Sequence, residues 1–289
     1  MTASAASYAA CRALTRAAGS SFPAAFRLLA PHKRDAMFAL YAYMRVTDDL
    51  ADEPGAPEVT RAKLSEWRTG LSRALEGRPA HAIHAALADT VRRYDIPPQY
   101  LFDAIDGCDT DAGPVRVQTF DELYRYCYRV ASAVGLACVR IWGTRKGATF
   151  ADTDAPAEAA GIAFQLTNIL RDLAEDRARD RVYLPADELA RFECPPEAWR
   201  DPACRARYRD LMRFQVARAR AYYRRGADLL PLLSRDGRAV FRVMSGAYQR
   251  LLDEIERRDY DVFTRRVRVP KWRKAAVFAS GWLAKWGLL

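Results

Sequence analysis

Two apolar helical stretches of this chain each carry aspartates four residues apart, and that pairing limits what the chain can fold into. The first is YAYMRVTDDLAD, residues 41–52. At ~100° per residue, Tyr41, Arg45, Asp48 and Asp52 share an arc of ~60°, while Asp49 points ~100° away from Asp48. The preceding AMFALYAYM is almost wholly apolar, so the helix is expected to be central. Two carboxylates at i and i+4 repel by roughly a few tenths of a kcal/mol. They fit either a solvated face or a cation held between them, and the apolar surroundings favour the cation. The second stretch is QLTNILRDLAEDRARDRVYLP, residues 165–185. Gln165, Asn168, Asp172 and Asp176 fall there within ~80° of arc, flanked by Ala163, Phe164, Leu166, Ile169, Leu170 and Leu173. Alone, that stripe suits a solvated face equally well. Two such helices face to face present four aspartates to a shared cavity.

The rest of the chain reads as helix. Apolar periodicity predicts helices over 4–17, 22–29, 33–53, 58–76, 81–93, 98–107, 120–142, 152–178, 186–191, 203–230, 235–258 and 271–286. Prolines such as Pro31, Pro57, Pro98 and Pro185 fall at the proposed ends, where they are tolerated. No alternating β-branched run, repeat or linker interrupts the pattern. The expectation is one all-α domain over residues 1–289. No apolar run reaches the 18 residues that suggest a membrane span. The N-terminus reads as a helix beginning near Ser4 rather than a signal peptide. The segment 275–289, with Trp282 and Trp286, reads equally as a last helix on the core or as a helix on a membrane surface.

Lys and Arg total 46 against 36 Asp and Glu. The excess is local: residues 200–274 hold 21 basic and 9 acidic groups, and the remainder holds 25 and 27. These arginines recur through periodic helical stretches, as on a solvated helix face, so a nucleic-acid binder is disfavoured. Six cysteines show neither CxxC nor a histidine at ligand spacing, which fits a reducing, cytoplasmic setting. The three histidines form no constellation with a nucleophile.

Hard oxygen ligands suit Mg²⁺, with Mn²⁺ as substitute, bridged to substrate phosphate oxygens. The chemistry implied is metal-assisted departure of a diphosphate, with nearby cations stabilising the developing charge. Arg45, Arg171 and Arg181 are near candidates, and the run from Arg265 to Lys274 supplies others. A carbocation then needs a dry aromatic cavity, for which Phe22, Phe26, Tyr41, Phe164 and Tyr248 are available.

These segments resemble the squalene/phytoene synthase family. DDLAD (48–52) with Arg45 before it, YCYRVASAVG (126–135) and QLTNILRDLAEDRARDRVYLP (165–185) carry the resemblance. SSFPAAFRLLAPHKRDAMFALYAYMR (20–45) and YQRLLDEIERRDYDVFTRRVRVPKWRK (248–274) extend it over most of the chain. It implies an isoprenoid (terpenoid) synthase helical fold with a central cavity, and Mg²⁺-dependent head-to-head joining of two prenyl diphosphates. By resemblance, Asp48, Asp52, Asp172 and Asp176 are metal positions, with Asn168 and Gln165 beside them. Arg45 and Arg265 contact diphosphate, Tyr126 handles a proton or stabilises the cation, and Tyr183 and Tyr248 line the pocket. Ser21 and Phe22 lie where the family's opening segment touches substrate. Two positions depart from the family pattern: Ser132 and Asp180 stand where glycine or another small residue is frequent.

The leading expectation is joining of two farnesyl diphosphates to presqualene diphosphate or a derived C30 product. The runner-up is a phytoene synthase using the C20 substrate, with Phe26, Met37 or Leu166 deciding chain length. NADPH is not expected to be required. Peripheral association with the inner membrane face and contact with downstream isoprenoid-pathway enzymes are further expectations. A catalytically silent subunit is disfavoured by the four intact aspartates.

Overall fold

The computed structural model describes residues 5–18 and 22–270. Twelve helices account for most of them: α1 (Ala5–Ala17), α2 (Phe22–Ala25), α3 (Pro31–Asp52), α4 (Pro57–Leu75), α5 (His84–Arg93), α6 (Gln99–Thr110), α7 (Phe120–Cys127), α8 (Ala133–Trp142), α9 (Phe150–Ala178), α10 (Ala186–Arg191), α11 (Arg205–Ala227) and α12 (Arg235–Arg257). Pro31 and Pro57 open α3 and α4, where a missing N–H and a fixed φ cost nothing. A capping box opens α9, with Thr149 and Asp152 bonding each other's backbone N–H, as expected for a Thr with an acidic residue three positions on. The expected helix over 271–286 and the aromatic pair Trp282 and Trp286 lie outside the described residues.

Two differences from the sequence reading matter for the site. The single helix expected over 120–142 is interrupted by a π-helical turn at Tyr128–Ser132. There α9 crosses so closely that a Cβ on Gly161 would lie 2.5 Å from Ser132 Cα. Ser132 is buried and donates its hydroxyl to the Glu158 carbonyl at 2.8 Å, so a small residue is required and serine satisfies itself. A two-residue parallel pair also forms, β1 (Val115–Arg116) with β2 (Arg181–Val182). It was not anticipated, because two residues are too few to show alternation.

Buried side chains divide into two clusters. One joins α1, α3, α5, α6, α8 and the start of α12 around Leu40, Tyr43, Leu87 and Phe241. The other joins α7, α11, β2 and the segment 260–269 around Leu170, Leu211 and Ile255. Helix α9 contributes Ala157 and Ala160 to the first and Ile162 to Leu173 to the second. The cavity opens along that seam.

Several arginines of the basic segment are ion-paired within the fold. Arg205 and Arg209 pair with Asp259, Arg207 with Glu193, Arg218 with Glu188, and Arg220 with Asp253 and Glu256. Arg218 and Arg220 in particular tie α11 to its neighbours, while other α11 arginines stay on a solvated face.

Candidate active site

A cavity of about 620 Å³ is walled by α3, α8, α9 and α12. Its ends differ in chemistry because α3 and α9 both run from apolar lining residues to an aspartate-bearing end. Helix α3 presents Met37 and Leu40 at one end and Asp48 and Asp52 at the other; α9 presents Ala157 and Ala160, then Asp172 and Asp176. The chain from α7 through the π turn into α8 descends the other way, from Tyr126 to Trp142. The result is an acidic and basic mouth above an apolar shaft floored by Phe26, Met37, Trp142, Leu229 and Phe241.

All four aspartates expected as metal positions line this one cavity, as do Tyr41, Arg45, Tyr126, Gln165, Asn168, Arg171, Tyr183 and Tyr248. The arc arithmetic on α3 holds for its lining residues: Asp49 turns outward and takes the Arg45 guanidinium, Nε to Oδ2 at 3.1 Å. Asp48 faces the cavity and meets solvent there, but protein crowds its other sides. That desolvation pushes its carboxyl up to about 7, with Asp52 and Asp49 adding to the rise while the Cys108 thiol at 3.6 Å and Arg45 oppose it. Asp176 is likewise pushed up to about 7 by burial and then by repulsion from Asp172 and Asp111. Burial presses Asp52 upward too, but hydrogen bonds from Arg179 at 2.6 Å and Arg181 at 3.1 Å hold it below the usual carboxylate range.

Arg265 is exposed and does not line the cavity. Its neighbour Arg266 does, pairing with Asp172 at 3.0 Å and Glu175 at 3.3 Å. The expectation for Arg265 is therefore corrected by one residue, since nothing periodic in 260–270 fixes which side chain turns inward. Arg266→Ala should lower kcat/KM by about 10–100-fold, the worth of a charge-assisted contact, and Arg265→Ala should leave it near the parent value in steady-state kinetics. Leu166 lies in the second core cluster rather than the cavity; Phe26 and Met37 are at the floor. Ser21 lies outside the described residues, and Phe22 opens α2.

Asp111, one residue beyond the last turn of α6, was missed in the sequence. Tyr126 Oη donates to it at 2.9 Å and Tyr183 Oη at 2.6 Å, and the two phenol rings stack at 4.8 Å. Arg181 donates to its carbonyl at 2.5 Å. Burial pushes the Asp111 carboxyl up to about 6 despite these donors, and both phenols are raised well above their ordinary value, first by burial and then by Asp111. The β1–β2 pairing places this cluster, because it brings Arg181 and Tyr183 alongside the chain just after Asp111.

The residues present suit a hard divalent cation. Asn168 Oδ1 is buried without a hydrogen-bond partner, two aspartates hold protons more tightly than usual, and the acidic groups converge on one mouth. Among the described residues no three such side chains already form a closed metal cluster. Any Mg²⁺ held here would need phosphate oxygens and water to complete its shell, as is common for this ion. A pH dependence follows. Unfolded carboxyls titrate near 4, so Asp48 and Asp176 bind more protons in the folded protein than in the unfolded chain between about pH 4 and pH 7. This outweighs the opposite contribution of the buried His84 and of His81. Stability of the metal-free protein should therefore fall as pH rises through that window. Mg²⁺ with inorganic diphosphate should restore it, raising Tm by about 5 °C at pH 7.5 when saturating and by much less at pH 5, in a thermal-shift series.

Comparison with known proteins agrees with the fold. The family model for squalene/phytoene synthase matches residues 15–273. "Phytoene synthase" of Arthrospira platensis is 38% identical over 281 residues, covering 93% of this chain and 90% of that protein. "Phytoene synthase 3, chloroplastic" of Zea mays is also 38% identical, over 275 residues; this chain is covered to 94% and spans 65% of that longer protein. A solved dehydrosqualene synthase superposes with a TM-score of 0.86 at 27% identity, covering 95% of each chain. An all-α isoprenoid-synthase fold with a diphosphate-type mouth defines a prenyltransferase. The chain belongs to the squalene/phytoene synthase family.

Proposed function

We propose that this prenyltransferase joins two farnesyl diphosphates head to head, giving presqualene diphosphate or a C30 product derived from it. The observation carrying the C15 assignment is the shaft's depth. Eleven residues separate Asp48 from Met37 at the floor, about 17 Å of helix rise. A farnesyl main chain extends roughly 14 Å at ~1.25 Å per bond and a geranylgeranyl chain roughly 19 Å. A second reading, the C20 reaction to phytoene, is favoured by the phytoene synthase relatives and by the longer α9 wall.

Asp48, Asp52, Asp172, Asp176 and Asn168 would hold Mg²⁺, which when bound neutralises diphosphate as a leaving group. Arg45, Arg171, Arg179, Arg181 and Arg266 surround the same mouth and stabilise the charge that grows as the donor's C1–O bond breaks and its electron pair leaves with diphosphate. The allylic cation is kept from water by the apolar shaft and stabilised by the faces of Tyr41, Phe164 and Tyr248. Phe164 and Tyr248 stack at 4.6 Å. The second molecule's double bond captures the cation, and one proton leaves carbon as the cyclopropane closes. Tyr126 accepts that proton while passing its own to Asp111, which is ionised above about pH 6.

Farnesyl and geranylgeranyl diphosphates offered in competition, with and without NADPH, test the assignment by product mass spectrometry. A C30 product in both conditions is expected; a C40 product alone would transfer the assignment to the second reading. No described helix is long and apolar enough to cross a membrane. Cytoplasmic residence, with peripheral attachment for greasy substrates, completes the reading; liposome binding indifferent to anionic lipid and salt would contradict the attachment.

A further inference from the structure

We infer that Trp142 is the stop that sets the length of prenyl chain the cavity accepts. The inference rests on the prenyl diphosphate reading and deepens it. Trp142 is the last residue of α8 and is 3% exposed. It lines the cavity at the end of α8 remote from Tyr126, with its ring 6.3 Å from Phe241. Its Nε1 is buried with no hydrogen-bond partner, so no polar bond of its own orients the indole.

What holds the residue is its backbone. The Trp142 carbonyl accepts from Lys33 Nζ at 2.6 Å and Ser234 Oγ at 2.5 Å. Lys33 is itself paired with Asp236 at 2.8 Å, whose Oδ1 lies 2.7 Å from Ser234 Oγ as the alternative acceptor for that hydroxyl's single proton. Gly143 then turns the chain at φ 76, a conformation that favours glycine. Behind the side chain, a Cβ on Gly237 would lie 2.7 Å from Trp142 Cβ, so α12 is packed directly against it. Residues from α3, α8, the loop before α12 and α12 itself thus fix one large flat side chain at the bottom of the shaft. A prenyl tail meeting Phe26 or Met37 meets side chains held by packing; one meeting Trp142 meets a plate braced from behind.

The test uses the full chain with Mg²⁺ and equimolar geranyl, farnesyl, geranylgeranyl and geranylfarnesyl diphosphates, read by product mass spectrometry. Hydrophobic pockets discriminate a single methylene by about 10–200-fold. Trp142→Leu should therefore shift the product ratio toward the next longer substrate by at least about tenfold, and Trp142→Phe, the gentler change, by less in the same direction. An unchanged ratio in either variant, folded by circular dichroism and turning over, would overturn the stop. The parent protein's behaviour separates the two readings. Failure to turn over any prenyl diphosphate contradicts the function itself. A parent preference for C20 contradicts only the C15 assignment, and the stop is then read from a shift to C25.

Discussion

Replacing Asp48 or Asp172 by asparagine should lower kcat by at least about 10²–10³-fold, the loss typical when one preorganised electrostatic contact to a developing charge is removed. Asparagine keeps the shape and removes the charge, so the helical circular dichroism spectrum should be unchanged. For Asp48→Asn the metal-free fold should be no less stable, because protein crowding already disfavours the ionised Asp48. The combination is diagnostic. A residue that merely held the fold would lose stability along with activity, and a solvated surface carboxylate would lose neither. Asp172 extends the test, since it is already contacted by Arg171 at 2.7 Å and Arg266 at 3.0 Å. Its loss removes the charge that orders those two guanidiniums at the mouth as well as a metal position.

Gly161→Ala should have the largest effect on stability. Within a helix this exchange ordinarily stabilises by about 0.5–1 kcal/mol. At Gly161 the added Cβ would lie 2.5 Å from Ser132 Cα and 2.7 Å from Ser132 N. Those are backbone atoms of the π turn and cannot swing aside, so α9 must move from α8 along the cavity wall. A loss of about 3 kcal/mol is expected, at the upper end for overpacking, equivalent to roughly 6–12 °C in Tm. Gly135 supplies the control. It lies in α8, on the same cavity, and a Cβ there would meet only the Ala157 carbonyl at ordinary contact distance, 3.7 Å. Gly135→Ala should leave Tm unchanged or slightly raised in the same melt, so opposite signs at two neighbouring glycines test the crossing itself.

What was legible in the sequence was whatever a single helix records about itself. The aspartate pairs could be read because an i, i+4 pattern on an apolar helix is local, and both stripes do face the cavity. Leu166, expected to help decide chain length, was misplaced: it stands ~100° from Gln165 on α9, outside the polar arc, and packs into the second cluster instead of the cavity. Asp111 was not legible, because its role comes from Tyr126, Tyr183 and Arg181, which only tertiary structure brings to it. The identity of the inward-facing arginine failed for a related reason, since the segment holding Arg265 and Arg266 has no helical period to set its register. The departures from the family pattern found physical explanations. Ser132 fits the tight crossing by bonding the Glu158 carbonyl. Asp180 has φ 58 and pairs with Arg116, a left-handed position where glycine is natural and aspartate is among the better-tolerated alternatives.

The most direct test is stoichiometry. Purified protein given Mg²⁺ and farnesyl diphosphate should consume two substrate molecules for each C30 product. It should release one diphosphate if the reaction stops at the cyclopropyl diphosphate and two if it continues to hydrocarbon, with chelation abolishing all three signals. Prenyl alcohol formed with one diphosphate per substrate and no coupled product, or no turnover with either C15 or C20 substrate, would contradict the account.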